Sequence, residues 1–302
     1  MPPAASPPTP RRRPRPGLPA LVAVLVVSGV LAVLLSPAVT HSARLRHSAS
    51  TLTVATWNMC GVRQWGCADT GGAAAKRRAV ERLVRAGVDV VLLQEACATH
   101  AESVRAALGG SWRLAFRPYT WRTGAGNEGR VHCEGRGLGT AGIAILSDRP
   151  LSSVRQVPSR QPVAGVRRGI LCADVGAVGV RVCNAHLSLP GSDRAHPGRE
   201  YRDAQLTALV AAVPGRRVVF GGDFNLNPPG ARNPSSRVWP SVVYDVYREC
   251  DQSGAADRSA RPTHVSGHKL DYLFTGLPVS ACTLRDTGVS DHRALLMRVA
   301  VR

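Results

Sequence analysis

The run Arg217-Val218-Val219-Phe220 ends in Gly221-Gly222-Asp223-Phe224-Asn225, and this stretch narrows the possible folds more than any other. A short β-branched and aromatic segment bounded by glycines reads as a buried strand. Two glycines at its end permit a tight turn, so the strand would deliver a carboxylate and a carboxamide together at a polar tip. That pair suits a phosphate or a divalent cation, yet Asp, Asn and Gly after a strand are also ordinary turn residues. Partners elsewhere in the chain decide between the two.

The pattern recurs along the sequence. Residues 51–58 read as a strand ending at Asn58, residues 88–93 as a nearly continuous apolar strand delivering Gln94-Glu95, and residues 179–187 as a strand carrying Asn184 and His186. Asp271 lies in the strand-like segment 269–274, and Ser290-Asp291-His292 precedes a closing strand over 294–299. Further strands are expected over 111–119, 141–146 and 168–175. Between them, Val80, Leu83 and Val84 make the apolar stripe of a helix over 73–86, with Gly87 placed to cap it. Thr99 and Glu102 have capping-box spacing for a second helix stopping at Gly109-Gly110. Residues 197–213 read as a third, with Pro197 in its first turn, and 242–247 as a short helical piece. Residues 124–139 form a long glycine-rich loop of the kind that is functional or disordered rather than filler. With no internal repeat or second linker, residues 51–302 read as one mixed α/β domain.

Residues 1–50 stand apart. A Pro/Arg-rich stretch (2–16), an apolar run (18–35) broken only by Pro19, Ser28 and Gly29, and a small-residue stretch (36–40) have the order of an export signal. The run is slightly short of the ~20 residues of a comfortable membrane span, so cleaved signal peptide and retained anchor both stand. Export favours disulfides for the eight cysteines, and no CxxC pair argues for zinc. Cys172 and Cys183 flank an expected hairpin turn, Cys60 and Cys67 can close a short loop, and pairing Cys97 with Cys133 and Cys250 with Cys282 completes one set among several connectivities.

The formal net charge is +19; six of the 39 basic residues and no acid lie in 1–50, which leaves 33 against 20, or +13, on the remainder. Such a surface favours polyanions: nucleic acid, anionic lipid headgroups or phosphorylated metabolites. Lysine occurs only as Lys76 and Lys269, so an arginine-rich compositional bias would account for part of the same charge.

Six motifs, TWN (56–58), QE (94–95), NAHLS (184–188), GDFN (222–225), DYLF (271–274) and SDH (290–292), follow one another in this order. Together they resemble the endonuclease/exonuclease/phosphatase superfamily, which includes DNase I-like nucleases, sphingomyelinases and inositol-phosphate phosphatases. The resemblance covers nearly all of 51–302 and implies a four-layer α/β sandwich, two mixed sheets packed face to face with helices outside. It also implies that the motifs converge at one rim.

Phosphodiester cleavage needs a cation at the non-bridging oxygens, an in-line water and help for the leaving oxygen. Glu95 with Asn58, and Asp291 beside them, read as oxygen ligands for Mg²⁺, with Mn²⁺ or Ca²⁺ as substitutes. Asp223 and Asn225 would hold the attacking water and a phosphate oxygen. Asp271 and His292 look like the family's acid–histidine pair, in which the carboxylate orients the imidazole for proton transfer. His186 would stabilise the pentacovalent phosphate or protonate the leaving group. Asn184 and Arg168 are candidates for substrate contact, whereas His264 and His268 read as surface or hydrogen-bonded residues, and Tyr201, Arg202 and Gln205 as scaffold.

The expectation is therefore a monomeric, metal-dependent nuclease, secreted or held at the outer membrane face by residues 1–50, with nucleic acid as substrate. The arginines of the 124–139 loop favour that substrate. Hydrolysis of a phospholipid or an inositol phosphate by the same site is the alternative, and a catalytically silent binding module is a third reading. The low aromatic content, 5%, and the lack of an apolar hairpin between motifs weigh against a lipid substrate.

Overall fold

The computed structural model describes residues 51–302, apart from residue 68 and residues 231–233. The export segment expected over 1–50 lies outside the described residues. The strands in chain order are β1 (Thr51–Asn58), β2 (Val90–Cys97), β3 (Arg113–Pro118), β4 (Thr120–Arg122), β5 (Glu128–Arg130), β6 (Ala141–Ser147) and β7 (Leu151–Val157). They continue as β8 (Gly165–Arg167), β9 (Gly169–Val175), β10 (Val180–His186), β11 (Val218–Asp223), β12 (Arg248–Glu249), β13 (Asp271–Thr275), β14 (Val279–Arg285) and β15 (Ala294–Ala300). The α-helices are α1 (Ala73–Arg85), α2 (Ala98–Leu108), α3 (Arg202–Ala211) and α4 (Val242–Val246).

One sheet runs β14-β15-β1-β2-β6-β3, a second runs β12-β13-β11-β10-β9-β7, and β5-β4-β8 make a small third. Each large sheet is mixed, with one central parallel pair: β1 with β2, and β10 with β11. Alternation along the strands builds a core on each side. Leu52, Val54, Val90 and Leu92 face the second sheet's Leu171, Val182 and Val219, while Ala55, Trp57, Val91 and Leu93 turn outward against Val80, Leu83 and Val104 of α1 and α2. On the far side Cys172, Cys183 and Phe220 pack against Leu206 and Leu209 of α3 and Val243 of α4. The result is the expected four-layer sandwich, and two-sided burial explains why the central strands read as continuous apolar runs.

Several local expectations change. The helix expected to begin near Pro197 starts at Arg202, because residues 190–199 are a loop pinned by Asp193, whose carboxylate accepts hydrogen bonds from the N–H groups of Val163, Ala164 and Ala195. The Thr99/Glu102 capping box is not made: Cys97 caps α2 without a side-chain bond, and Glu102 pairs with Arg105. Glycines 221 and 222 are strand residues, not the turn itself. A Cβ on Gly221 would stand 1.9 Å from the Tyr272 carbonyl oxygen, and one on Gly222, at φ +133°, 1.8 Å from that of Ala185. Both glycines therefore let β10, β11 and β13 close up. The 124–139 loop contains β5 and is tied down by Cys97–Cys133.

All eight cysteines pair as the completed set expected, Cys60–Cys67, Cys97–Cys133, Cys172–Cys183 and Cys250–Cys282. Cys172 and Cys183 face each other across β9 and β10.

Asn184 corrects a sequence expectation. It is fully buried between the sheets, donating through Nδ2 to the carbonyls of Leu93 (2.8 Å) and Ala144 (2.9 Å) and accepting at Oδ1 from Gln94 Nε2 (2.7 Å). It is a clamp between sheets rather than a substrate contact, since every group it could offer a phosphate is already engaged. Asn184→Leu removes three buried hydrogen bonds between the sheets, leaving Gln94 Nε2 only Thr56 Oγ1 (3.0 Å) and the Leu92 carbonyl (3.3 Å), and each lost bond is worth about 0.5–1.5 kcal/mol. A lowered urea midpoint, equivalent to a loss of about 3 kcal/mol, is the expected result; an unchanged midpoint would show that the clamp carries no load.

Candidate active site

Register places the reactive groups. In the parallel pair His186 lies opposite Asp223, and in the neighbouring antiparallel pair Asp223 lies opposite Asp271, so the three form a row across the rim of the second sheet. The first sheet contributes Asn58, opposite Gln94 in its own parallel pair. Glu95 follows at a β-bulge in β2 and has φ +51°, a conformation that costs a non-glycine residue about 1–2 kcal/mol. Asn225 has φ +50° and is held by its N–H on Asp223 Oδ1 (2.9 Å) and its Nδ2 on the Leu187 carbonyl (3.0 Å).

Asn58 joins the sheets. Its Nδ2 donates to Glu95 Oε1 (3.2 Å) and to Asp223 Oδ2 (3.0 Å), while its Oδ1 accepts the Cys60 N–H (3.0 Å). It thus draws two carboxylates together and turns its oxygen toward the backbone. Asp223 Oδ2 also lies 3.4 Å from His186 Nε2 and 3.8 Å from His292 Nε2, and His292 Nδ1 is 2.8 Å from Asp271 Oδ2. Asp223 therefore sits between two imidazoles, one of them backed by a second carboxylate.

The two histidines are held in opposite states. The Tyr119 hydroxyl accepts the Glu95 N–H (3.0 Å) and lies 2.7 Å from His186 Nδ1; with the Asp223 carboxylate 3.4 Å from Nε2, a neutral His186 carries its ring proton on Nε2 and accepts the Tyr119 hydroxyl hydrogen at Nδ1. Burial first, then the positive charges of Arg168 and His292, hold the His186 pKa well below its ordinary value. For His292 burial also acts downward, but Asp271 and Asp223 outweigh it and raise the pKa to about 10. Burial raises the carboxyl of Asp223, and it pushes Glu95 up to about 7 against the opposing pull of Arg168 and Asn58.

A cavity of about 590 Å³ opens onto these groups and is lined by Asn58, Glu95, Arg168, His186, Asp223, Asn225, Asp291 and His292. Of the ten residues expected at the site, eight line it; Asp271 stands behind His292, and Asn184 is the clamp described above. Arg168 is buried with its guanidinium over the Trp65 ring (4.9 Å), and its Nε has no hydrogen-bond partner. A buried cation with an unspent donor at a cavity wall suits a phosphate oxygen.

Three residues were not foreseen. Tyr119 fixes the His186 tautomer, and Trp65 stacks on Tyr119 (5.5 Å) from within the Cys60–Cys67 loop. His264, read from sequence as a surface or hydrogen-bonded residue rather than part of the site, is hydrogen-bonded and also lines the cavity. It pairs with His292 in a β-bridge, its ring centroid 4.6 Å away, and its Nε2 lies 3.4 Å from Asp291 Oδ2.

The oxygen donors fit a hard divalent cation. Glu95 is a buried carboxylate that takes part in no ion pair among the described residues, and its charge together with that of Asp291 acts on Lys76. Glu95 and Asp291 would hold the cation; Asn58, expected as an oxygen ligand, instead turns its Oδ1 to the Cys60 N–H and orients Glu95 through Nδ2.

The family pattern of the Endonuclease/Exonuclease/phosphatase family matches residues 55–292. The chain belongs to that family, whose members hydrolyse phosphodiester and phosphate-ester bonds. Comparison with curated protein sequences gave no significant match. Among solved structures the fold is similar to a humanized D. rerio TDP2, at TM-score 0.56 and 18% identity, covering 82% of this chain and 98% of that one. It is similar to the human Nocturnin catalytic domain with bound sulfate, at 0.56 and 16%, covering 84% and 94%. It is also similar to the 3′ phosphatase NExo from Neisseria bound to a product DNA hairpin, at 0.56 and 14%, covering 82% and 98%.

The raised His292 pKa has a consequence for stability without added cation. The folded value, about 10, exceeds the ordinary 6.5, so the stabilisation is complete below about pH 6.5 and is lost as pH rises toward 10. The difference in unfolding free energy between wild type and His292→Gln, measured in chelator, is expected to be largest in mild acid and to shrink steadily through the alkaline range. A difference independent of pH would contradict the charged-imidazole assignment.

Proposed function

We propose that this chain is an exported, divalent-cation-dependent phosphodiesterase that cleaves nucleic acid. The observation that carries the reading is Asp223 held between a neutral His186 and a charged His292, next to Glu95, a buried carboxylate without an ion pair among the described residues. A bound Mg²⁺, or Mn²⁺ or Ca²⁺ in its place, would supply charge neutralisation at the phosphate's non-bridging oxygens.

The chain's own residues divide the remaining work. Asp223, its pKa raised by burial, accepts the proton of a water that Asn225 helps to hold in line, as a new P–O bond forms. His292, kept protonated by Asp271, is the acid of the pair and places its charge at the phosphorane or gives its proton to the departing oxygen as the ester P–O bond breaks. His186 is neutral and acts as a hydrogen-bond donor through Nε2. Arg168, which lines the same cavity, holds a phosphate oxygen.

Nucleic acid is favoured by the net +13 of residues outside 1–50 and by relatives with DNA in their structures, D. rerio TDP2 with a single-strand DNA product and NExo with a DNA hairpin. Export is favoured by the order of segments in 1–50 and by the full pairing of the cysteines. Among the described residues no helix is long and apolar enough to cross a membrane, so any anchor would have to come from residues 1–50. Exposed Leu189 and Val265 near the cavity are the features that favour a phospholipid substrate instead. They are isolated side chains of a kind common on any surface.

Asp223→Ala and His186→Ala are each expected to lower the turnover of DNA or RNA by at least about a hundredfold in protein that still unfolds in a single cooperative urea transition. A folded variant with an unchanged rate would remove that residue from the reaction.

A further inference from the structure

A second cavity, of about 440 Å³, adjoins the first. Gly165, Val166 and Arg194 line both, so the two form one groove, and its outer part is walled by Trp121, Arg122 and Thr123. None of the reacting groups reaches this outer part, and its volume falls within the ~300–1,000 Å³ of small-ligand sites.

Trp121 is placed there by design of the small sheet. It stands in β4 between Gly129 of β5 and Val166 of β8. Its indole lies over Gly129, where a Cβ would come within 2.7 Å of the ring. The glycine thus seats one side of the ring, while the residue stays 37% exposed along the groove. A large flat aromatic, supported beneath and open above, is a stacking platform.

Arg194 supplies the charge between platform and reaction centre. Among the described residues its guanidinium makes no ion pair, whereas Arg122 and Arg167 share Glu128. Its loop is fixed by the buried Asp193, which accepts hydrogen bonds from three backbone N–H groups and the Tyr201 hydroxyl, and by the Arg194 N–H on the Ala164 carbonyl (2.7 Å). Gly165, at φ +146°, lets β8 approach this loop, since a Cβ there would stand 2.2 Å from the Ser192 carbonyl oxygen.

We infer that the outer groove is a nucleotide subsite: the base of a nucleotide flanking the scissile phosphate stacks on Trp121, and Arg194 holds a backbone phosphate beside it. This rests on the nucleic-acid reading above and makes it narrower, because a base must leave its duplex neighbours to stack there. The substrate is therefore single-stranded, or a frayed end, rather than intact duplex. The same groove is a poor membrane-insertion device, since the turn joining β4 to β5 is Thr123-Gly124-Ala125-Gly126-Asn127, with no large apolar side chain at its tip.

The test compares oxidised wild type with Trp121→Ala, Trp121→Phe and Arg194→Gln in saturating Mg²⁺, on a short single-stranded oligonucleotide, a blunt duplex and methyl 4-nitrophenyl phosphate, a diester too small to reach Trp121. The inference predicts a KM for the single strand raised at least about tenfold in Trp121→Ala, partly restored in Trp121→Phe and raised in Arg194→Gln, with the small diester hydrolysed by both Trp121 variants as by wild type. Unchanged single-strand KM in all three variants would overturn it. So would an equal loss on the duplex. If Trp121→Ala fails to fold, the Trp121→Phe and Arg194→Gln values decide on the same criteria. Wild type that hydrolyses the small diester and neither nucleic acid would instead defeat the nucleic-acid reading itself.

Discussion

Two amide side chains hold the rims of the sheets at a fixed spacing, and the site depends on that spacing. Asn184 reaches from the second sheet to carbonyls of β2 and β6, close to the point where the β2–β6 ladder is interrupted by the Glu95 bulge. Asn58 reaches the other way, from the first sheet to Asp223. A buried amide left unpaired is costly, so the sheets gain by docking only in the register that satisfies both. That register brings Glu95, on one sheet, beside Asp223 and His186, on the other. The reaction centre is thus assembled across the sandwich rather than built on either sheet.

The electrostatics follow from the same burial. Desolvation acts on every ionisable group at the rim, but the outcome differs with the neighbours. His292 has two carboxylates within reach and keeps its proton; His186 has one, together with two cations and a tyrosine hydroxyl donating to it, and stays neutral. One buried environment therefore yields an acid and a hydrogen-bond donor about the same carboxylate. The positive-φ backbone at Glu95 and Asn225 adds local strain, which the surrounding hydrogen bonds offset.

The mixed α/β domain was legible in the residue pattern because its central strands are buried on both faces, the four-layer sandwich was legible only through the resemblance carried by the six motifs, and the reacting groups were legible because most of them end those strands. What escaped has a physical cause in each case. β7 and β14 are edge strands with mostly exposed side chains, such as Ser152 and Arg155, so no apolar pattern marks them, and β4, β5 and β8 are too short for any periodicity. Asn184 shares a strand face with His186, and sequence does not give depth: two residues at ~3.3 Å each separate a group at the cavity from one locked between the sheets. Tyr119, Trp65 and His264 enter through tertiary pairing, His264 through a bridge to His292 that spans a long stretch of chain. The spacing around His264 carries no sign of that bridge.

The central claim is that this rim is a cation-dependent phosphodiesterase centre acting on nucleic acid. Its most direct test is the fragmentation of a single-stranded oligonucleotide by the purified, oxidised protein in Mg²⁺, in excess chelator, and after Mg²⁺ is restored. Cleavage that stops in chelator and returns with the cation is the predicted result. No cleavage with Mg²⁺, Mn²⁺ or Ca²⁺, or cleavage indifferent to chelator, would contradict it.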